Sequence, residues 1–231
     1  MRLDKELSRR AGCSRSQARR WVRRGRVVVE GAVVRDPAAG VPEGASMCVD
    51  GVPVARPPRG AAFHKPRGVQ CTVGDPWGRP SLEEVAAPLL TWGLHPVGRL
   101  DADSEGLLLF LADGRLTQRL LHPKHGVEKV YRASVSGSLP EDLDEQLAAG
   151  VATALGAFPA RLIAACPEAG GGEVTLAVTE GKHRMVRRML ANLGLPVHRL
   201  VRLSIGSVAL SELPVGAWRA LGEEELARLS R

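Results

Sequence analysis

The chain has 231 residues and a mass of 24.7 kDa, one large domain or two small ones, and its 44% hydrophobic content supplies a core, which excludes disorder of the whole chain. Its net charge of +7 lies entirely up to Gly60, where 13 basic residues meet 6 acidic ones; the remainder holds 19 of each, which predicts a basic module for an acidic partner joined to a balanced body. No apolar run approaches the ~20 residues that cross a bilayer, the opening Met1-Arg2-Leu3-Asp4-Lys5-Glu6 is too polar for a signal peptide, and Cys13, Cys48, Cys71 and Cys166 form no metal-ligand or disulfide framework; the expectation is a cytoplasmic protein with reduced cysteines, no metal and no membrane partner.

Leu3, Leu7 and Ala11 share one helical face, with Ser8, Arg9 and Arg10 turned away. A second helix follows, with Ser14 as N-cap, Ala18, Trp21 and Val22 as its apolar face and Gly25 as a left-handed terminator. Its other face carries Arg15, Arg19, Arg20, Arg23 and Arg24. Val27 to Val29 and Ala32 to Val34 flank Glu30-Gly31 as a hairpin. From Ser14 to Arg26 six arginines have no acidic neighbour in the sequence, so this face is either solvated or takes an anion, and the planar guanidinium fork suits phosphate. The segment resembles the S4 RNA-binding domain, whose pattern S-R-x-x-A-x-x-x-[IV]-x-x-G-R-V-x-V-x-G is met by Ser14, Arg15, Ala18, Val22, Gly25, Arg26, Val27, Val29 and Gly31. The resemblance implies that Arg15, Arg19, Arg20, Arg23, Arg24 and Arg26 face RNA from a domain spanning residues 1–55.

Three prolines between Val52 and Gly60 mark a boundary, and residues 56–60 are read as a linker before a body over residues 61–231. Residues 107–111, 131–135, 173–178 and 207–210 read as strands; residues 81–90, 141–149, 183–193 and 223–229 read as helices. This order favours an α+β body with a largely antiparallel sheet. No G-x-G-x-x-G opens a helix and there is no P-loop, so no nucleotide cofactor is expected.

Three patches hold the candidate chemistry. In Gly98-Arg99-Leu100-Asp101-Ala102-Asp103-Ser104-Glu105-Gly106 a carboxylate-bearing loop enters the apolar run at Leu107, which suits either a presented nucleophile or an ordinary acidic turn; spacing does not choose among Asp101, Asp103 and Glu105. The second, Glu128-Lys129-Val130-Tyr131-Arg132, contains the sole tyrosine of an aromatic-poor chain. In the third, Glu180 to Leu190, Met185, Met189 and Leu190 line the buried side of a helix whose other side is cationic.

In order, these patches resemble the pseudouridine synthases, in the ribosomal RNA branch that carries an N-terminal S4 domain. The central motif G-R-L-D-x-x-[ST]-x-G-L-L is met by Gly98, Arg99, Leu100, Asp101, Ser104, Gly106, Leu107 and Leu108. Lys65-Pro66-Arg67-Gly68, Lys129 with Tyr131, Glu180-Gly181-Lys182 with Val186-Arg187-Arg188-Met189, and Leu213-Pro214-x-Gly216-x-Trp218-Arg219 meet the other family patterns, nearly over the full length.

The resemblance implies a catalytic domain with a mainly antiparallel mixed sheet flanked by helices. It also implies conversion of uridine to pseudouridine without a cofactor or metal. Asp101 takes the place of the family's aspartate nucleophile, Tyr131 that of the tyrosine stacked on the flipped uracil, and Arg187 that of the basic residue paired with the aspartate. Arg99 is placed to fill the space the base vacates. Lys65, Lys182 and Arg188 are RNA contacts or supports. Met185 stands where the family often has Gln, and Leu111 where it often has Thr. The expected partner is ribosomal RNA or a ribosomal assembly intermediate, met by a monomer, and the small-subunit RNA is favoured. The alternatives are a large-subunit enzyme and a non-catalytic RNA-binding assembly factor.

Overall fold

A computed structural model describes residues 1–42 and 44–231. Its contacts group into two units, Met1–Arg59 with Ala87–Leu94, and Gly60–Ala86 with His95–Arg231.

In the first unit α1 (Leu3–Ala11) buries Leu3 and Leu7 and ends at Gly12 in the left-handed conformation. Helix α2 (Arg15–Arg23) starts at Ser14, whose hydroxyl accepts the Gln17 N–H, and the chain leaves it through Gly25 at φ +68°. Ala18 and Val22 are fully buried, as their spacing requires. Strands β1 (Val27–Val29), β2 (Ala32–Val33), β3 (Met47–Val49) and β4 (Val52–Pro53) form a sheet of order β2-β1-β3-β4. Glu30 and Gly31 both take positive φ in the β1–β2 turn, which matches the twist of the flanking strands.

Three expectations are corrected here. Arg10 is not turned away: it is buried, donating to Glu6 at 2.7 Å and to the Ala45 carbonyl at 2.6 Å. Nor is the arginine face unopposed, because acidic residues distant in sequence fold onto it. Asp4 is buried and takes Arg2, Arg15 and Arg19, and Asp50 pairs with Arg26. The helix expected over residues 81–90 is two short ones, α3 (Leu82–Val85) and α4 (Ala87–Thr91), because Pro88 has no N–H to continue the ladder. Residues 87–94 group with the first unit, where the Arg9 guanidinium donates to the Trp92 carbonyl at 3.1 Å.

The second unit is built on β5 (Gly60–Lys65), β6 (His95–Pro96), β7 (Glu105–Leu111), α5 (Gly114–Leu121), β8 (Lys129–Ser136), α6 (Leu143–Ala149), β9 (Val151–Thr153), β10 (Gly156–Phe158), β11 (Arg161–Glu168), β12 (Gly171–Val178), α7 (Met185–Asn192), β13 (Val197–Ile205), β14 (Val208–Ala209), β15 (Trp218–Ala220) and α8 (Glu223–Leu229). Its large sheet runs β11-β12-β8-β13-β7-β5-β15, with β6 on β7 and β14 on β13. All its pairs are antiparallel except β13 with β7, so the sheet is mixed and mainly antiparallel. One apolar core includes α6 and α7, and a second includes α5 and α8.

The single parallel pair sets the site. Val201 pairs with Glu105 and Arg202 with Gly106, where β7 leaves the Asp101 loop. Gly106 sits at φ +109°, and a Cβ there would run into the Arg202 backbone, so only glycine admits this approach.

Candidate active site

The loop before β7 is held from several directions. Asp101 closes a turn by accepting the Ser104 N–H at 3.0 Å, and Ala102 accepts the Gly68 N–H at 2.6 Å. Lys65, wholly buried at the end of β5, donates its Nζ to the Ser104 carbonyl at 2.8 Å and the Pro66 carbonyl at 2.9 Å. Burial pushes its pKa down, opposed by the Cys71, Asp101 and Asp103 charges. Lys65 is therefore a brace inside the fold, a support and not, of the two places expected for it, an RNA contact.

Asp101 and Tyr131 line one cleft of about 510 Å³, together with Arg99, Lys182 and Arg202. That volume suits a small planar ligand. The Asp101 side chain is 27% exposed, so its carboxylate stays open to the cleft. His183 Nε2 lies 4.0 Å from Asp101 Oδ1, an ion pair when the imidazole is protonated. Tyr131, the third residue of β8, is 8% exposed. Leu200, Val178, Met185 and Ile205 supply apolar wall to the same cleft. Of the two departures from the family pattern, Met185 belongs to this wall, and Leu111 is wholly buried core on β7.

Arg187 does not form the expected direct pair with Asp101. Its guanidinium donates to the Asp103 carbonyl at 2.8 Å, the Val197 carbonyl at 2.9 Å and the Ser104 hydroxyl at 3.3 Å, and its Nε stands 3.4 Å from Asp103 Oδ2. The turn from Asp101 to Ser104 presents Asp103, not Asp101, toward α7. Burial lowers the Arg187 pKa, while the carboxylates of Asp103 and, more weakly, Asp101 oppose that shift. Arg184, the left-handed residue before α7, completes the cluster with a two-pronged pair to Asp103 at 3.0 and 2.8 Å. Burial alone would raise the Asp103 pKa, but the Arg184 hydrogen bond and the charges of Arg187 and Arg184 hold it below the ordinary value.

Sequence reasoning passed over Arg202. It is 4% exposed on β13, donates Nε to the Leu107 carbonyl at 2.8 Å, and lies behind Tyr131 with Nη1 3.4 Å from the phenol oxygen. Its Nη2 is buried without a partner among the described residues. A lone arginine inside Leu200-Val201-Arg202-Leu203 was the available signal. Lys129, beside Tyr131 in sequence, is buried and spends its ammonium on the Thr179 carbonyl at 3.0 Å. Of the remaining expected RNA contacts, Arg99 and Lys182 are exposed, Arg188 is half-buried, and Arg20, Arg23 and Arg24 are exposed with no acidic partner among the described residues.

The chain thus joins a basic helix-and-hairpin unit to a mixed-sheet unit whose cleft is lined by an open aspartate and a buried tyrosine. Residues 61–192 match the family model described as RNA pseudouridylate synthase, and residues 1–46 match the S4 domain. An uncharacterised RNA pseudouridine synthase of Mycobacterium tuberculosis is 40% identical over 235 residues, 99% of this chain and 92% of that protein. The ribosomal small subunit pseudouridine synthase A of Escherichia coli is 36% identical over 233 residues, 98% of this chain and 99% of that protein. A crystal structure of a pseudouridylate synthase superposes with a TM-score of 0.66 at 30% identity, covering 99% of each chain. The chain belongs to the RNA pseudouridine synthase family, enzymes that isomerise uridine to pseudouridine in RNA.

Proposed function

We propose that this protein converts a uridine of small-subunit ribosomal RNA to pseudouridine, with Asp101 as nucleophile and the target base flipped into the cleft. The observation that carries the reading is the open Asp101 carboxylate on a braced loop, in one cleft with Tyr131. The choice of small-subunit RNA is supported by the near-complete overlap with the Escherichia coli enzyme of that name. Ribosomal RNA or an assembly intermediate is the partner, bound by a cytoplasmic monomer, with residues 1–55 as the RNA-positioning module and 61–231 as the catalytic one.

The isomerisation balances within the substrate. The bond from uracil N1 to ribose C1′ breaks, the base turns, and C5 bonds to C1′; the proton lost from C5 is matched by one gained at N1. Asp101 attacks C1′ as the uracil anion leaves and is released when C5 attacks in turn. The apolar wall and the Tyr131 ring keep the detached base in place and water away from the sugar. The Tyr131 hydroxyl serves the proton leaving C5, and Arg99 occupies the gap left by the flipped nucleotide.

Small-subunit ribosomal RNA labelled with tritium at uracil C5 releases tritium on turnover. Asp101→Asn is expected to abolish release while RNA binding persists; release at the wild-type rate from that variant would refute the mechanism. Release from large-subunit RNA alone would move the substrate to the other subunit.

A further inference from the structure

The loop from Cys71 to Arg79, outside the Asp101–Tyr131 pair, carries the most exposed large apolar side chain among the described residues. Trp77 is 76% exposed in a chain with only eight aromatic residues, three Phe, four Trp and one Tyr. An indole this exposed offers a planar apolar face with a polar edge to a partner.

The loop is built rather than slack. Its ends are tied by the Gln70 N–H to the Pro80 carbonyl at 2.8 Å and the Leu82 N–H to the Gln70 carbonyl at 3.2 Å. Its tip is organised by Asp75, whose carboxylate accepts the backbone N–H groups of Trp77 and Arg79 at 3.2 and 2.9 Å. The same carboxylate grips the Arg79 guanidinium through Nη2 at 2.7 Å and Nε at 3.2 Å. Arg79 is thereby laid over the indole, its Cζ 4.7 Å from the ring centroid. This backing fixes the ring and puts a cation behind it, while the ring stays open to solvent. Nη1 of Arg79 has no partner among the described residues.

The loop also starts at the cleft. Gln70, Cys71 and Thr72 belong to the cleft wall, and the Leu100 N–H, one residue before Asp101, donates to Cys71 Sγ at 3.3 Å. Trp77 thus rides on a segment anchored to the nucleophile's own loop.

We infer that Trp77, backed by Arg79 and held by Asp75, is a stacking platform for an unpaired nucleobase of the RNA whose flanking nucleotide enters the cleft. A planar ring open to solvent takes any base by its π-face, and stacking supplies the affinity, the Arg79 charge being held by Asp75. The platform deepens the proposed function by adding a second RNA contact. It rests on RNA being the substrate, but not on Asp101 being the nucleophile.

The test is binding of a short oligouridylate to the full chain, followed by tryptophan fluorescence. Wild type should bind with quenching, and Trp77→Ala should bind about tenfold more weakly with most of the quench lost. Trp77→Tyr should restore affinity, which separates stacking from misfolding. An abasic oligomer of the same length should bind wild type and Trp77→Ala equally. No binding by wild type, equal binding of the oligouridylate by Trp77→Ala, or the same deficit with the abasic oligomer would each overturn the platform. Tritium release tests the catalytic reading separately, so either can fail alone.

Discussion

Asp103 holds Arg184 by two parallel hydrogen bonds of 3.0 and 2.8 Å, two residues from Asp101. This pair also gathers Arg187, so Arg184 in the cleft wall and Arg187 on α7 are both organised by a close neighbour of the aspartate proposed as nucleophile. Asp103→Asn keeps the shape but removes the charge. We expect kcat to fall about tenfold, equivalent to roughly 1.4 kcal/mol, with a smaller change in KM, because an organised cleft matters most in the transition state. Steady-state kinetics on the labelled RNA measures the split.

The same pair has a defined pH dependence. Its folded-state pKa lies below the unfolded one, so Asp103 contributes stability fully above the unfolded value of about 3.9 and loses it as pH falls through the folded value. Urea unfolding of wild type and Asp103→Asn should therefore differ by a constant amount from pH 5 to 8, and the two should converge as pH falls below the unfolded value and through the folded one. A gap that widened on acidification would contradict the pairing.

Lys65 gives a slope of the same sign at the alkaline end. Burial depresses its pKa, so between the folded value and about 10.5 the unfolded chain binds more protons and stability rises with pH. Lys65→Met removes this rise. It also strips the Ser104 and Pro66 carbonyls of their donor, at a cost of about 1 to 3 kcal/mol for a buried acceptor left unpaired. Denaturant titrations from pH 7 to 10.5 on both proteins would reveal the lost slope, and turnover should drop as the Asp101 loop loosens.

Among the arginines of α2 and the turn that follows it, pairing separates the ones free for phosphate. Arg15 and Arg19 answer Asp4 and Arg26 answers Asp50, while Arg20, Arg23 and Arg24 have no acidic partner among the described residues. Changing those three to Ala should reduce the slope of log affinity against log salt by about 2 to 3, each phosphate contact being worth about 0.7 to 0.9. Arg15→Ala should change it by less than one full contact, since that cation shares the Asp4 carboxylate with Arg2 and Arg19. Filter binding across a salt series distinguishes them.

Local signals carried much of this structure. Ser14 and Gly25 bounded α2, Glu30-Gly31 made the hairpin, and Leu107 to Leu111 became a buried strand. Pairings remote in sequence were not legible: Asp4 reaches α2 through the fold, and Asp103, not Asp101, receives Arg187 because a single turn aims alternate carboxylates apart. Strand β13 escaped notice because Arg199 and Arg202 interrupt its apolar pattern, although Arg202 is among the buried residues on which the site stands.

Arg202 is where that blind spot has consequences for activity. A guanidinium is costly to bury, and this one has a hydrogen bond to the Leu107 carbonyl and a neighbour in the Tyr131 phenol, with Nη2 left unpartnered. Its planar fork reaches the β7 carbonyl and the phenol at once, which a lysine's single ammonium does not. Arg202→Lys should therefore behave like a loss, lowering kcat about tenfold or more, whereas Tyr131→Phe, which keeps the ring, should retain uracil stacking and lose only what the hydroxyl contributes. If Tyr131 is held through Arg202, the double variant should be less impaired than the product of the two single losses, and a double-mutant cycle on kcat tests that directly. Strict multiplicativity would mean that the two residues act independently despite lying 3.4 Å apart.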